Sequence, residues 1–406
     1  MSGSVTVVGG VNGTIPGAVA VPVSGLSSSA LGSLQASLSA ITTSVLGGSA
    51  GFTNFDSITG VTYEATIAGT NNLYELTNTD SAGGSTPGSV TGTVGIASVY
   101  SSVVVQAPGT ITVNGSGAPA TSYVLGATSN VDLFTNGGTS SVIAAGGSDT
   151  INMMGNNYVT LSGGSDKVTT YAGSDTVVAT GSASVYAGTA KGYAGNIDFI
   201  NNSSVSATLN ANAGSATVFG GSAGGTFLGG TAGSNSLVGG NGSVFLIGGG
   251  SNDTLIAGGN GATTSTGANY LFAGAGNETL LASSVTGSNL FQVGSGTDVI
   301  STAGSGTQYF FGSSGNASMT GSTTMGANNV YFFGSTTSPG GNDIISNFGK
   351  NSELIATNSV TIESITGATI NGTPGALVTL TDGTHITLTG VNAASIQGSA
   401  GGTIIT

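Results

Sequence analysis

The chain has 406 residues, 74 of them glycine, with three lysines, no arginine, 16 acidic residues and a formal net charge of −13. Charged residues make up only 5%, far below the quarter or so that is usual in soluble globular domains. So few bases exclude docking on nucleic-acid phosphates or on an anionic membrane surface. With no cysteine, neither disulfides nor thiolate metal sites hold the fold, which suits a chain that stays unfolded until export.

In residues 5–23, valine, isoleucine and alanine alternate with glycine and proline, which predicts short strands. Between Ser27 and Val45, apolar Leu31, Leu34, Leu38, Ile41 and Val45 recur at steps of 3, 4, 3 and 4, predicting a short N-terminal helix. It is either a cap over the first coil, because a stack of repeats needs its end covered, or an assembly or anchoring helix. Residues 51–140 are β-rich, with strand-like runs at 60–67, 103–105 and 110–113 and a loop at 80–88. A β-sandwich and an irregular solenoid start both fit this region. Met1-Ser2-Gly3-Ser4-Val5 has no basic stretch leading into an apolar core, so no Sec-type leader is expected. No apolar run is long enough for a transmembrane helix, and an integral membrane protein is not expected.

Further on, the units shorten. Val218-Phe219, Phe227-Leu228, Leu237-Val238 and Leu246-Ile247 each precede a glycine pair, and their second members step by 9, 10 and 9. These are half-turns of a flattened coil, two to a rung. From residue 269 to residue 348 one pattern returns four times behind a leading amide: Asn269, Asn289, Gln308 and Asn329, at steps of 20, 19 and 21. A fixed period of that size marks a stacked solenoid. β-Branched and aromatic runs supply strands with alternate side chains in a narrow core, and the glycine-rich parts supply the turns. In Gly276-Asn277-Glu278-Thr279-Leu280 and Gly296-Thr297-Asp298-Val299-Ile300 a carboxylate stands two residues after a glycine and two before an apolar anchor. It is either a turn-edge ligand for a hard cation such as calcium, shared between stacked turns, or a solvated turn carboxylate bonded to its own backbone.

At these residues the chain resembles the RTX, or hemolysin-type calcium-binding, repeat family, whose nonapeptide is G-G-x-G-x-D-x-U-x. Gly248 to Leu255 fits with Ser251 replacing the third glycine, and Gly274 to Leu280 fits with Glu278 replacing aspartate. Gly146 to Ile151, Gly163 to Val168 and Gly173 to Val177 fit in part, with Asp175 nine residues after Asp166. The resemblance implies a parallel β-roll over residues 141–350 and Ca2+ at Asp149, Asp166, Asp175, Asp253, Glu278, Asp298 and Asp343. Turns around Gly220-Gly221, Gly229-Gly230, Gly239-Gly240 and Gly258-Gly259 have no acidic residue, and Ala317 stands where aspartate is expected. Ions are therefore expected at a few turns only.

The end of the chain extends the resemblance. Asn342 to Phe348 followed by Glu353-Leu354-Ile355 is similar to the last segment of type I secretion substrates, D-x-I-x-D-F then D-x-I, with Asn347 and Glu353 departing from aspartate. Within residues 351–406, the stretch from Ala376 to Val391 reads as a hairpin about Asp382-Gly383. It is similar to the C-terminal target region of those exported proteins, which implies a type I secretion transporter as partner and an extracellular or cell-surface location.

No enzyme is expected. His385, the only histidine, sits in the hairpin strand with no Ser-His-Asp setting, and the turn motif already explains Asp166 and Asp175 without glycosidase chemistry. Tyr270, Phe272, Phe291, Tyr309, Phe311, Tyr331 and Phe333 form either an aromatic ladder in or along the coil or a carbohydrate platform. Alternation within Tyr309-Phe310-Phe311 and Tyr331-Phe332-Phe333 puts some rings outside. The expected fold is all-β: a β-solenoid or parallel β-roll of degenerate RTX-like repeats, with a short N-terminal helix and a C-terminal β-hairpin region. The expected function is that of a secreted structural subunit of a surface layer, matrix or fibre, which self-assembles with calcium. The alternative is an adhesin that holds a cell-surface glycan. A more distant one is an ice-binding solenoid, suggested by Thr110-Ile111-Thr112 and Thr387-Leu388-Thr389.

Overall fold

A computed structural model of the chain describes residues 90–96, 101–105, 108–116, 120–188, 194–258, 267–282, 286–335 and 340–406, and the strands Ser4–Val8, Ala18–Pro22, Thr53–Asn54, Thr59–Ala65 and Leu73–Thr77. The expected helix at 27–45 and the loop at 80–88 lie outside the described residues. Among the described residues regular structure is almost wholly strand, and the helical exception is one 3-10 turn, Ala393–Ser395. The chain divides into two compact units, residues 1–204 and 205–406.

The first unit is a parallel β-solenoid. Strands Thr59–Ala65, Val90–Ile96, Gly109–Gly115, Ser129–Thr135, Thr150–Met153, Ser165–Thr170 and Ser182–Tyr186 stack in parallel as one sheet. Leu73–Thr77, Ser102–Val105, Ala120–Leu125, Thr139–Ala144, Asn156–Leu161, Gly173–Ala179 and Gly195–Asn201 stack as the other. The chain alternates between the two, so every second strand is a ladder neighbour. Parallel pairing already holds across residues 59–135, which decides for a solenoid start and against a sandwich. Its irregularity is a register shift between Thr59 and Thr62. Near the N-terminus, Ser4–Val8 and Ala18–Pro22 pair antiparallel.

The second unit repeats the plan. Ala207–Asn210, Gly225–Leu228, Val244–Ile247, Asn269–Phe272, Asn289–Gln292, Thr307–Phe311, Asn328–Phe333 and Ser352–Ala356 stack in one sheet, called here the amide sheet. Ala216–Phe219, Ser236–Val238, Thr254–Ile256, Thr279–Ala282, Thr297–Thr302, Asn316–Thr320 and Asn342–Ser346 stack in the other, the acid sheet. Asn269, Asn289, Gln308 and Asn329 are direct register partners, so each step of about 20 residues is one full turn. The parallel stack then ends in the expected hairpin. His385–Thr389 adds parallel to Asn342–Ser346, and Thr373–Leu380 and Ile362–Ile370 follow antiparallel. Gly383 takes φ 89° in the hairpin turn, and Asp382 Oδ1 accepts the Thr384 N–H at 3.0 Å.

A coil this flat has a core about two side chains deep, so every inward position counts. In the amide sheet the inward column is Leu271, Phe291, Phe310, Tyr331 and Leu354, all fully buried. Phe291 stacks on Phe310 at 5.2 Å, and Phe310 on Tyr331 at 4.5 Å. Buried Leu255, Leu280, Ile300, Met319 and Ile345 form the inward column of the acid sheet. Tyr270, Phe272, Tyr309 and Phe311 alternate to the outside.

Tight stacking also dictates glycine. Gly164 (φ 73°) lies over Gly147 (φ 86°), and a Cβ on Gly164 would collide with the Gly147 carbonyl. Gly372 has a similar φ, 81°, but open space around it. Gly372→Ala is expected to cost about 1 kcal/mol, from left-handed backbone alone. Gly164→Ala, which adds the collision, is expected to cost clearly more, about 3 kcal/mol. Denaturant unfolding of the two variants measures the difference.

Candidate functional site

The strand ladders leave one recurring donor without a partner. In a parallel stack each strand bonds to the carbonyls of the turn below, as when Val299 N–H donates to the Glu278 carbonyl at 2.8 Å. The N–H of the residue at the strand entry has no such acceptor. The structure fills this gap with a side chain from the next turn. Asp298 Oδ1 accepts the Glu278 N–H at 3.0 Å, Asp343 Oδ1 the Ala317 N–H at 2.8 Å and Asp166 Oδ1 the Asp149 N–H at 3.0 Å. Asp149 accepts from Val131 at 2.8 Å, Asp175 from Asn157 at 2.9 Å and Asp253 from Asn235 at 2.7 Å.

Glu278 occupies the same entry position without accepting an N–H, so all seven carboxylates singled out in the sequence share one place in the turn. Each is 3% exposed or less. They sit inside the coil at its corners, not at a solvated turn edge. Register brings some of them together. Asp253, Glu278 and Asp298 occupy three successive turns of one column, which continues through Ala317 to Asp343. Asp149 and Asp166 are neighbours in the first unit. Asp175, half a turn on from Asp166, belongs to the opposite sheet and has Asn157 as its neighbour.

Amides do the same work, and the sequence reading assigned them no role. Asn157 and Asn235 stand in the acidic columns, with Oδ1 accepting from Ser140 at 3.2 Å and from Ala216 at 2.8 Å. Asn235 shows what surrounds the second side-chain atom: its Nδ2 donates to the carbonyls of Gly230 at 2.9 Å and Gly248 at 3.1 Å. Where aspartate replaces asparagine, an oxygen takes the place of that donor. Oδ2 of Asp149, Asp166, Asp175, Asp253 and Asp343 and both carboxylate oxygens of Glu278 are buried with no donor. Asp298 differs, since its Oδ2 accepts the Gly294 N–H at 2.7 Å. In the amide sheet Asn269 Nδ2 donates to Asn289 Oδ1 at 2.8 Å, and Asn289 Nδ2 to Gln308 Oε1 at 2.7 Å. Three of the four leading amides that marked the period in the sequence form this ladder, while Asn329 turns to Ser322, accepting its N–H at 2.9 Å and donating Nδ2 to its carbonyl at 3.0 Å.

Burial without a counter-charge perturbs the acids. It pushes Asp149, Asp166 and Asp343 up to about 7 and Asp175 to about 6, and it raises Asp253. Glu278 reaches about 8, through burial first and then Asp298 and Asp253 on either side. Lys167, next to Asp166, faces the other way, its Nζ 5.5 Å from the centre of the Tyr186 ring. The donor set is entirely oxygen and negatively charged, which suits a hard divalent cation. Among the described residues no three acidic, histidine or cysteine side chains converge as a metal cluster. An ion at these columns would thus draw on one or two carboxylates and complete its shell with main-chain carbonyls of the glycine turns.

The fold and this site define a parallel β-solenoid with polar columns inside its corners. No family profile, curated protein or solved structure matches the chain.

Two outcomes are expected. A raised folded-state pKa means that a carboxylate favours the folded state in its protonated form. That contribution is complete below the unfolded value near 4 and is lost as pH rises through about 6 to 8. In chelator the protein is expected to melt at a higher temperature at pH 5 than at pH 9, read by circular dichroism. Asp253→Asn restores the missing donor and is expected to raise stability in chelator at pH 8 by about 1 kcal/mol.

Proposed function

We propose that the chain is a secreted structural protein whose solenoid is held in order by extracellular Ca2+ and which self-assembles into a surface layer, matrix or fibre. The observation that carries this reading is the column Asp253, Glu278 and Asp298, three buried carboxylates on successive turns without a basic partner among the described residues. Asp253, Glu278 and Asp298, and likewise Asp149 with Asp166, Asp175 and Asp343, would hold the ions. Bound calcium supplies positive charge to oxygens that otherwise take up protons. A chain that calcium stabilises reaches its full stability after export, where the ion is abundant. The resemblance of residues 342–355 and 376–391 to exported proteins supports the same route, through a type I secretion transporter.

Self-assembly is supported at the C-terminal hairpin. Ile362–Ile370 is bonded to a strand along one edge; on the other, Ile362 bonds to Gly401 and Gly402, and among the described residues no strand pairs with Ser364 to Ile370. From Ser364 to Ile370 it carries no charge and no proline, the usual protections of an exposed edge. A second copy could add there by strand pairing. A non-enzymatic role accords with His385, which stands exposed on its strand. The ice-binding alternative has less support. Thr91 and Thr93 stack under Thr110 and Thr112, but the next turn places Asn130 and Asp132 there.

Electron microscopy of protein dialysed against calcium or against chelator tests the proposal. Ordered sheets or filaments that require calcium are expected, and dispersed particles in both conditions would refute assembly. Isothermal titration of calcium into the Asp253→Asn/Glu278→Gln variant is expected to show fewer sites than the parent. An unchanged count would remove this column from the cation reading.

A further inference from the structure

The outer face of the amide sheet carries a site that owes nothing to the acidic columns. One outward register column there reads Thr208, Thr226, Phe245, Tyr270, Leu290 and Tyr309. Phe245 is 36% exposed and Tyr270 42%, high values for large rings on a strand. On the side of the following turn, Phe245 is covered by Tyr270 at 6.2 Å and Phe272 at 5.0 Å. Towards the preceding turn the column drops to Thr226, a much shorter side chain. Phe245 is therefore the end of an aromatic run.

At this step a groove of about 280 Å3 opens, with Phe245 and Tyr270 at one end and the hydroxyl-bearing Ser206, Thr208, Thr226 and Ser243 interspersed with Ala207, Gly225, Val244 and Ala268 along the rest. No residue that lines it is charged. An anionic ligand would find no cation here, and a cationic one no carboxylate. A purely hydrocarbon ligand would leave four hydroxyl groups facing apolar surface. A ligand with one apolar face and a rim of neutral hydroxyls matches both halves of the lining, because ring faces take polarised C–H groups while serine and threonine donate and accept at the edge. The groove is open along the sheet, so it suits one unit of a longer chain better than an enclosed small molecule.

We propose that this groove binds a neutral polysaccharide, with one sugar ring against Phe245 and Tyr270 and its hydroxyl groups towards Thr208, Thr226 and Ser243. The site goes beyond the assembly reading and would let an assembled layer hold a glycan. It rests on outward side chains, so it does not depend on occupancy of the columns.

The test is titration of calcium-loaded protein with soluble neutral β-glucan, mannan and dextran. Alginate serves as the anionic control and phosphatidylcholine vesicles as the hydrocarbon control. Saturable binding of at least one neutral polysaccharide is expected, insensitive to raising sodium chloride from about 50 to about 500 mM because no charges meet. Phe245→Ala and Tyr270→Ala should each weaken it at least about tenfold. Thr226→Phe, which extends the aromatic run into the groove, should abolish it. Tyr309→Ala, two turns away on the same column, should leave it unchanged, and circular dichroism should report an intact solenoid in all four. Binding of none of the neutral polysaccharides would overturn the proposal. So would preference for alginate or vesicles, or a Thr226→Phe variant that binds like the parent.

Discussion

One hydrogen bond recurs through both units and sets the terms for the rest: a side-chain oxygen at the strand entry of one turn accepts the N–H of the entry residue in the turn before. A buried amide without an acceptor costs on the order of 1–3 kcal/mol, and a coil of many turns meets that cost at every corner. The side chain must be short, must carry an oxygen and must point inward just where the strand begins. Aspartate and asparagine meet all three conditions, which is why the same position is acidic in some turns and an amide in others.

The choice between acid and amide then separates the two sheets of the second unit. An amide has a donor to pass on, so the ladder from Asn269 through Asn289 to Gln308 closes on itself and ends at the Gly306 carbonyl, 2.8 Å from Gln308 Nε2. A carboxylate has none. Asp253 and Glu278 keep oxygens with no donor, and their neighbours in the column add like charge. Demand for a proton or a cation is thus confined to one sheet, while the other is self-sufficient. Asp298 and Asp253 on either side add to burial in holding Glu278 in its protonated form up to about pH 8, and under the proposed function a divalent ion would take the place of such protons.

The outward faces follow a different logic. Strand alternation puts Phe291, Phe310 and Tyr331 into the core and their neighbours Tyr270, Tyr309 and Phe311 onto the surface. Rings that stack along the ladder, such as Phe311 on Phe332 at 4.7 Å, cover one another's faces. In the adjacent outward column Leu290 interrupts the rings, so Phe245 and Tyr270 form a pair of their own, and beyond Phe245 stands the much shorter Thr226. The sheet spacing that stacks the inner rings therefore also fixes where an outer ring is free to meet a ligand.

Much of this was legible in the linear chain. The steps of 20, 19 and 21 between Asn269, Asn289, Gln308 and Asn329 determined the length of a turn, because identical registers recur only at a fixed period. The Gly-x-Asp spacing picked out five of the seven buried carboxylates, and the looser turn pattern the other two, with Ser251 in place of the glycine before Asp253 and Glu278 in place of aspartate; it also marked the gap at Ala317. What the chain could not show was direction. Whether Asp253 looks out to solvent or in to the corner depends on which way the backbone bends at Gly248 and Gly250, and on an N–H of Asn235 that lies 18 residues away in sequence. The role of the leading amides was hidden for the same reason, since Asn269 and Asn289 meet only when one turn is laid on the next. The groove at Phe245 likewise exists because Thr226 and Tyr270 become neighbours across the sheet. Period and composition are properties of the sequence, but burial, charge stacking and the free face of a ring are set by contacts between turns.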